Sequence, residues 1–289
     1  MSQFDSPIQP NSSDRKQEVA KSYATSCLRA NLQQTPNEDF LLVDEHGGIF
    51  IVVDGVSRTN YGDEYPCPSP EAMASEKFTQ SCYQSLLSNN SDILSARERV
   101  IEAIRVGNAE VASLNQDLFG DSIDYLGSDL AGTVGILAIA EHGTLTIGYA
   151  GDVRAYGIRD GKVELLTEVQ TSKVSELRKG PDGWSDETTL RIRRDIRNNP
   201  ADEMGFGVFT GEDSALKFVR IIEISFRDYD NILLATDGIA MLAAADIENL
   251  LIEDLDSLAD KAQEHSQVLG RKVDDIGLIR INCAKYIDR

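Results

Sequence analysis

Two apolar runs in this chain each end in Asp-Gly: Thr236-Asp237-Gly238 closes the run in NILLATDGIA, and Asp54-Gly55 closes Ile49 to Val53 in IFIVVDGVSR. Asp-Gly between apolar runs is a strong hairpin signal, because both residues tolerate positive φ. A hairpin needs a second strand directly after its turn, and neither site supplies one. The first is followed by the polar VSRTNYGDEYPCPSP, the second by IAMLAAADIENLL, rich in Ala and Leu at helical spacing. Further acids stand at strand ends. Glu38-Asp39 open a strand in TPNEDFLLVD, Asp152 falls between two strands in GYAGDVRAY, and Asp274-Asp275 precede the last strand in RKVDDIGLI. If antiparallel strands bring these ends together, the carboxylates converge. Two anions about 4 Å apart repel by roughly 4 kcal/mol at an effective dielectric near 20, so such a cluster must protonate or hold cations. Oxygen donors without His or Cys favour hard ions, Mg²⁺ or Mn²⁺. Glycine after Asp54 leaves its backbone carbonyl free to approach the same ion with no side chain in the way.

Other chemistries are poorly supplied. The three histidines are scattered: His46 and His142 each precede glycine in a turn, and His265 lies in a polar helical patch. No pair has metal-ligand spacing, which disfavours His-based zinc catalysis and a Ser-His-Asp triad. There is no GxSxG, GxGxxG or GxxxxGK; Gly157 with Gly161-Lys162 falls one residue short of the last and reads as a turn. Cys27, Cys67, Cys82 and Cys283 lie far apart without a CxxC pair, which argues against a disulfide scaffold and for a reducing compartment. With 48 acidic against 28 basic residues the formal charge is -20, which disfavours nucleic acid and anionic membrane as partners. An anionic substrate would be repelled unless local cations intervene. No run of 18 apolar residues and no apolar signal core is present, so a soluble, cytoplasmic protein is expected.

The elements that must position the acids alternate in blocks over the 289 residues. DFLLVD and IFIVVD read as strands joined by EHGG, and residues 71–88 and 92–117 read as helices, the second with Val100, Ile101, Ile104, Val111 and Leu114 on one stripe. From Gly132 the texture is β, with EHGT and RDGK as short hairpin links, so the sheet is antiparallel. Residues 168–215 are polar with weak helical hints, the length and texture of a functional flap. Strands return in LKFVRIIEIS and NILLATD, a helical region runs to about Leu269, and DIGLIRINC is the last strand. Residues 1–18, polar and rich in Ser and Pro, read as a flexible lead-in. The whole predicts one α+β domain over 19–289 with antiparallel sheets covered by helices.

In order along the chain, NED before a strand, VVDG, AGT opening a strand, AGDVR, LLT, ILLATDG and DDIGLI resemble the metal-dependent protein serine/threonine phosphatases of the protein phosphatase 2C (PPM) type, in a divergent, bacterial-like form. The resemblance covers residues 20–285. It implies an αββα sandwich: two packed antiparallel sheets flanked by helices, with two Mg²⁺ or Mn²⁺ ions at one end. Asp54 would bridge both ions and Gly55 would offer its carbonyl. Asp237 and Asp274 would hold the first ion, making Asp54, Asp237 and Asp274 the catalytic set. Glu38 and Asp39 would bind metal-coordinated waters, and Asp152 would serve a third, weaker site. The implied reaction is hydrolysis of phosphoserine or phosphothreonine in a phosphorylated protein by metal-activated water.

The chain departs from that pattern at the phosphate-gripping arginine three residues before NED, which is Gln34 here. The glycine pair after DG is replaced by VSRTNYG, and Val56 stands where some members carry a histidine. Losing a charged hydrogen bond to phosphate costs about 1.5 to 3 kcal/mol. Arg58 is the candidate substitute, so Gln34 and Arg58 are the substrate-binding positions to follow. The complete aspartate set favours a working phosphatase over a regulatory or scaffolding relative that binds phosphoprotein without turnover. A Ca²⁺-binding structural protein is a poorer fit, because the acids are dispersed and not set in one loop.

Overall fold

The computed structural model describes residues 23–32, 35–57, 65–88, 93–127, 129–177, 185–242, 247 and 254–288. The strands are β1 (Ala24–Arg29), β2 (Phe40–Asp44), β3 (Ile49–Gly55), β4 (Thr133–Glu141), β5 (Thr144–Ala150), β6 (Arg154–Arg159), β7 (Lys162–Leu165), β8 (Arg220–Ser225), β9 (Asn231–Ala235) and β10 (Ile276–Asn282). They form two antiparallel sheets, ordered β1-β10-β9-β6-β7 and β2-β3-β4-β5-β8. The helices are α1 (Pro70–Ser88), α2 (Ala96–Phe119), the short α3 (Val174–Leu177) and α4 (Asp186–Arg191), and α5 (Leu255–Val268).

The central strands read as unbroken apolar runs because both of their faces are covered. In β3, Phe50 and Val52 point between the sheets while Ile49, Ile51 and Val53 pack under α1 and α2. In β9, Ile232 and Leu234 point inward, and Leu233 and Ala235 meet Leu255, Leu258, Ala259 and Ala262 of α5. The result is four layers, helices–sheet–sheet–helix, as the α+β sandwich expectation requires. The links EHGT and RDGK are tight hairpins: His142 and Gly143, then Asp160 and Gly161, all have positive φ, the signature of the two-residue turn that matches strand twist.

Helix α2 starts at a capping box, Ser95 accepting from the Glu98 amide and the Glu98 carboxylate accepting from the Ser95 amide. Asp254 caps α5 through the Ser257 amide at 2.7 Å. Expected helix 71–88 is thus found as α1, and 92–117 as the later-starting α2. Two features differ from the sequence expectation. β1 was unread, since its burial alternates irregularly as an edge strand. Asp213–Phe218 is 3₁₀, so the strand in LKFVRIIEIS begins only at Arg220. Most of the helical expectation for IAMLAAADIENLL falls outside the described residues.

The expected flap, 168–215, is tied down at both flanks. Val174, Ile192, Ile196, Phe206 and Val208 are buried in the core between the sheets, and Phe209 stacks on Phe78 of α1 with ring centroids 4.6 Å apart. Asp129 receives Arg193 at 3.0 Å and Arg197 at 2.8 Å, a buried ion cluster joining the segment to the loop before β4.

Gly107 lets α2 approach α1: a Cβ there would lie 2.5 Å from the Cys82 sulfur and 2.8 Å from the Phe78 ring. Gly107→Ala gains about 1 kcal/mol of helix propensity but overpacks fully buried neighbours at a cost of about 1 to 3 kcal/mol. We expect a net loss of stability in urea unfolding, whereas the same substitution at an exposed helical glycine would stabilise.

Candidate functional site

Strand pairing gathers the acids at one end of the sandwich. In one sheet the register sets Phe40 opposite Val53, so Asp39, entering β2, and Asp54, leaving β3, share an end. In the other, Ala235 at the end of β9 pairs with both Leu278 of β10 and Arg154 of β6. Asp237, Asp274-Asp275 and Asp152 therefore share an end too. The two ends meet through the buried Thr236 hydroxyl, which donates to Asp39 Oδ2 at 2.8 Å and accepts the Gly277 amide at 2.8 Å.

Further ties fix the backbones that carry the acids. Asp275 accepts the Asn31 amide (2.7 Å), the Asn31 side-chain amide (2.8 Å) and the Glu38 amide (2.9 Å), which binds β10 to the link between β1 and β2. The neighbouring Asp274 is left to Lys272, at 3.2 Å, and to the Asp275 amide. A Cβ on Gly238 would overlap the Asp275 carbonyl oxygen, so glycine lets the segment after β9 lie directly against the one before β10. Gly55 has a similar steric reason: a Cβ would sit 2.8 Å from Glu38 Cβ and 3.1 Å from Glu71 Cβ. Thr133 donates to the Asp54 carbonyl at 2.7 Å, and Thr171 donates to Asp152 Oδ2 at 3.0 Å.

The electrostatics follow from burial and like charge. Burial pushes the Asp39 carboxyl well up, and Asp275, Asp237 and Asp274 push it further against the Thr236 hydrogen bond. Asp54 is raised by burial, then by Asp39, Asp237, Asp274 and Asp152. Asp237 reaches about 7, through burial, Asp152 and Asp274, with Arg154 and a hydrogen bond to Asp54 pulling the other way. Burial also raises Asp275, partly offset by its three amide donors. Asp54 and Asp237 each keep partial exposure, so the cluster opens to solvent.

A hard divalent cation fits this donor set in type and charge: carboxylate oxygens, mutually repelling, that outnumber the cations Lys272 and Arg154 beside them. Among the described residues no three acids already close on one point. Holding an ion here would require these side chains to draw inward from the positions they take.

Of the residues singled out in the sequence, Asp39, Asp54, Asp237, Asp274 and Asp152 come together, with Gly55 beside them. Glu38 is engaged differently: its carboxylate accepts Ser57 and Ser69 hydroxyls at 2.5 Å each and the Tyr65 hydroxyl at 2.6 Å. Gln34 and Arg58 lie outside the described residues. Sequence reasoning did not single out Thr236, although it stands beside Asp237 in the motif. It also passed over Arg154, in AGDVR, and Lys272, two residues before Asp274. Partial desolvation works against the Lys272 ammonium, but Asp274, Glu38 and Asp275 outweigh it and raise its pKa.

Two outcomes are expected. Glu38→Ala leaves the wholly buried Ser69 hydroxyl, and two others, without their acceptor; it should cost about 2 kcal/mol or more in chemical unfolding. The second concerns pH. Asp237 titrates near 7 when folded against 3.8 as the ordinary value, so between those limits the native state holds protons that the unfolded chain releases. Stability contributed by that proton is present below about pH 4 and is lost as pH rises through 7. Thermal melts in EDTA should therefore show a falling Tm across that window, each 1 kcal/mol lowering it by roughly 2–4 °C. Added Mn²⁺ should flatten the fall.

No protein-family model and no curated protein sequence matches the chain. Solved structures do match. The serine/threonine phosphatase PstP/Ppp of Mycobacterium tuberculosis aligns at a TM-score of 0.61 and 17% identity, over 90% of this chain and 97% of that one. A structure of the PstP catalytic domain in complex with two manganese ions aligns at 0.60 and 17%, over 90% and 96%. The PPM Ser-Thr phosphatase MsPP of Mycobacterium smegmatis, in complex with cacodylate, aligns at 0.56 and 19%, over 90% and 97%. With its two five-stranded antiparallel sheets between helices, this chain has the fold of the PPM-type serine/threonine phosphatases.

Proposed function

We propose that this protein is a Mg²⁺- or Mn²⁺-dependent protein serine/threonine phosphatase, a divergent PPM enzyme acting on a phosphorylated protein in the cytoplasm. The observation that carries the reading is the convergence of Asp39, Asp54, Asp152, Asp237 and Asp274 at one end of this fold, with carboxyls that burial and mutual repulsion hold up. The fold likeness and the seven ordered motifs add to it. Asp54, Asp237 and Asp274 would hold two ions, with the Gly55 carbonyl beside Asp54. Asp39 and Glu38 would hold coordinated water, Glu38 while also serving its three hydroxyls, and Asp152 would serve a third, weaker ion. Bound there, the ions supply Lewis-acid stabilisation of phosphoryl oxygens and lower the pKa of water.

The chain's own residues do the positioning. Thr236 holds Asp39 on the far sheet against the end of β9, and Thr133 holds the Asp54 carbonyl at the end of β3. Asp275, held by three amide donors, fixes the backbone beside Asp274, whose carboxylate keeps partial exposure. The start of segment 168–215, anchored beside Asp152 through Thr171, lies next to the site, and the segment would shape which phosphoprotein docks.

Hydrolysis of p-nitrophenyl phosphate and a phosphothreonine peptide, with Mn²⁺, Mg²⁺ or EDTA, tests the reading. Activity should require the divalent ion and vanish in EDTA. Asp54→Asn and Asp237→Asn should each lower kcat by about 100-fold or more, the scale of losing a charge-stabilising group. Metal-free, both variants should be as stable as the parent or more so, since each replaces an acid that must hold its proton or repel its neighbours by a neutral amide. Metal binding without turnover in the parent would favour the regulatory relative instead, and unfolding of Asp237→Asn with unchanged metal affinity would make that residue structural.

A further inference from the structure

An anionic phosphate approaching a chain of formal charge -20 needs a cation at the mouth of the site, and the position that would hold an arginine is Gln34. Arg154 and Lys272 border the aspartates. Arg154 places a guanidinium nitrogen 3.0 Å from the Asp152 carbonyl, two residues back on its own strand entry, and its charge already bears on Asp237. Lys272 is differently placed. Its ammonium lies 3.2 Å from Asp274 Oδ1, and its side chain is 54% exposed. Asp275, three residues on, grips both Asn31 and Glu38, the residues that flank Gln34 in the chain. Lys272 therefore stands at the exposed edge of the cluster, beside Asp274 and within reach of the charges of Glu38 and Asp275.

We propose that Lys272 is a substrate-binding residue that supplies the cation for the phosphate group in place of the absent arginine, an inference that rests on the phosphatase reading. An ion pair this exposed contributes little to stability, so transferring the ammonium from Asp274 to a phosphate dianion costs little. A divalent ion claiming Asp274 releases the ammonium from its partner and leaves it at the mouth. Lysine suits the task as a mobile point charge, without the rigid two-point grip of a guanidinium. Metal and lysine thus compete for Asp274, and metal and phosphate cooperate through it.

The test compares the parent, Lys272→Gln and Lys272→Arg by titration calorimetry, first with Mn²⁺ and then with inorganic phosphate added to the Mn²⁺-loaded protein, alongside steady-state hydrolysis. Lys272→Gln should bind Mn²⁺ as tightly as the parent or tighter. It should bind phosphate about tenfold more weakly, and KM for the phosphopeptide should rise by a similar factor while kcat changes little. Lys272→Arg should restore phosphate affinity. Equal phosphate affinity in Lys272→Gln and parent, weaker Mn²⁺ binding in Lys272→Gln, or no phosphate binding by the parent at all would each overturn the proposal. A parent that binds phosphate through Lys272 yet hydrolyses nothing would uphold this role while sinking the phosphatase reading. Robust hydrolysis with KM unmoved in Lys272→Gln would do the reverse.

Discussion

Repulsion among the aspartates must be met by ties that hold their backbones, and the Thr236 hydroxyl is the central one. It closes the end of β9, donates to Asp39 on the other sheet and accepts from Gly277 on β10, so one side chain joins three strands of two sheets. Both partners are buried, so each bond is made where leaving a group unpaired is expensive. With Asp39 fixed there, Asp54 on the adjacent strand follows through the β2–β3 register. Asp237 follows through the chain itself. The backbone at Asp274 is placed by the glycine contact at Gly238 and by the three amides on Asp275, and Asp152 is held by Thr171.

Such a site is affordable only because the rest of the molecule is well packed. Strands buried on both faces, three apolar clusters and helices over each sheet supply the stability that an uncompensated acidic end consumes. Two nearby carboxylates oppose each other by a few kcal/mol, a large fraction of the stability of an ordinary domain. The fold answers in the metal-free state by raising the carboxyls of Asp39, Asp54 and Asp237 so that protons are retained. Under the proposed function a cation would replace those protons, and the stability of the fold would be linked to the chemistry at its end.

Much of this was legible in the sequence because strand ends are local features. The runs Ile49 to Val53 and Ile232 to Ala235 announce strands covered on both faces, and the Asp-Gly that stops each one marks where the acids sit. The hairpins at His142-Gly143 and Asp160-Gly161 declare themselves through residues that accept positive φ. What could not be read depends on partners far apart in the chain. Asp39 and Thr236 are 197 residues apart, and Glu38 and Asp275 are 237 apart. Ser57, Tyr65 and Ser69 look like loop polarity until they are seen around one buried carboxylate. β1 was missed because ATSCLR, at a sheet edge, lacks a clean alternation. The polar look of 168–215 concealed Ile192, Ile196, Phe206 and Val208, whose spacing fits no single period because a π-helical turn at Ile192–Ile196 lies among them.

The proposed function requires the acids brought together by Thr236 and the strand registers to form one cation-binding centre. Anomalous scattering at the manganese edge, from crystals of the intact protein soaked in Mn²⁺, tests it most directly. Manganese peaks should be enclosed by Asp54, Asp237 and Asp274, with Asp54 touching more than one ion and Asp39 within reach through water. Manganese bound elsewhere on the acidic surface, with these aspartates left protonated and hydrogen-bonded to one another, would contradict it.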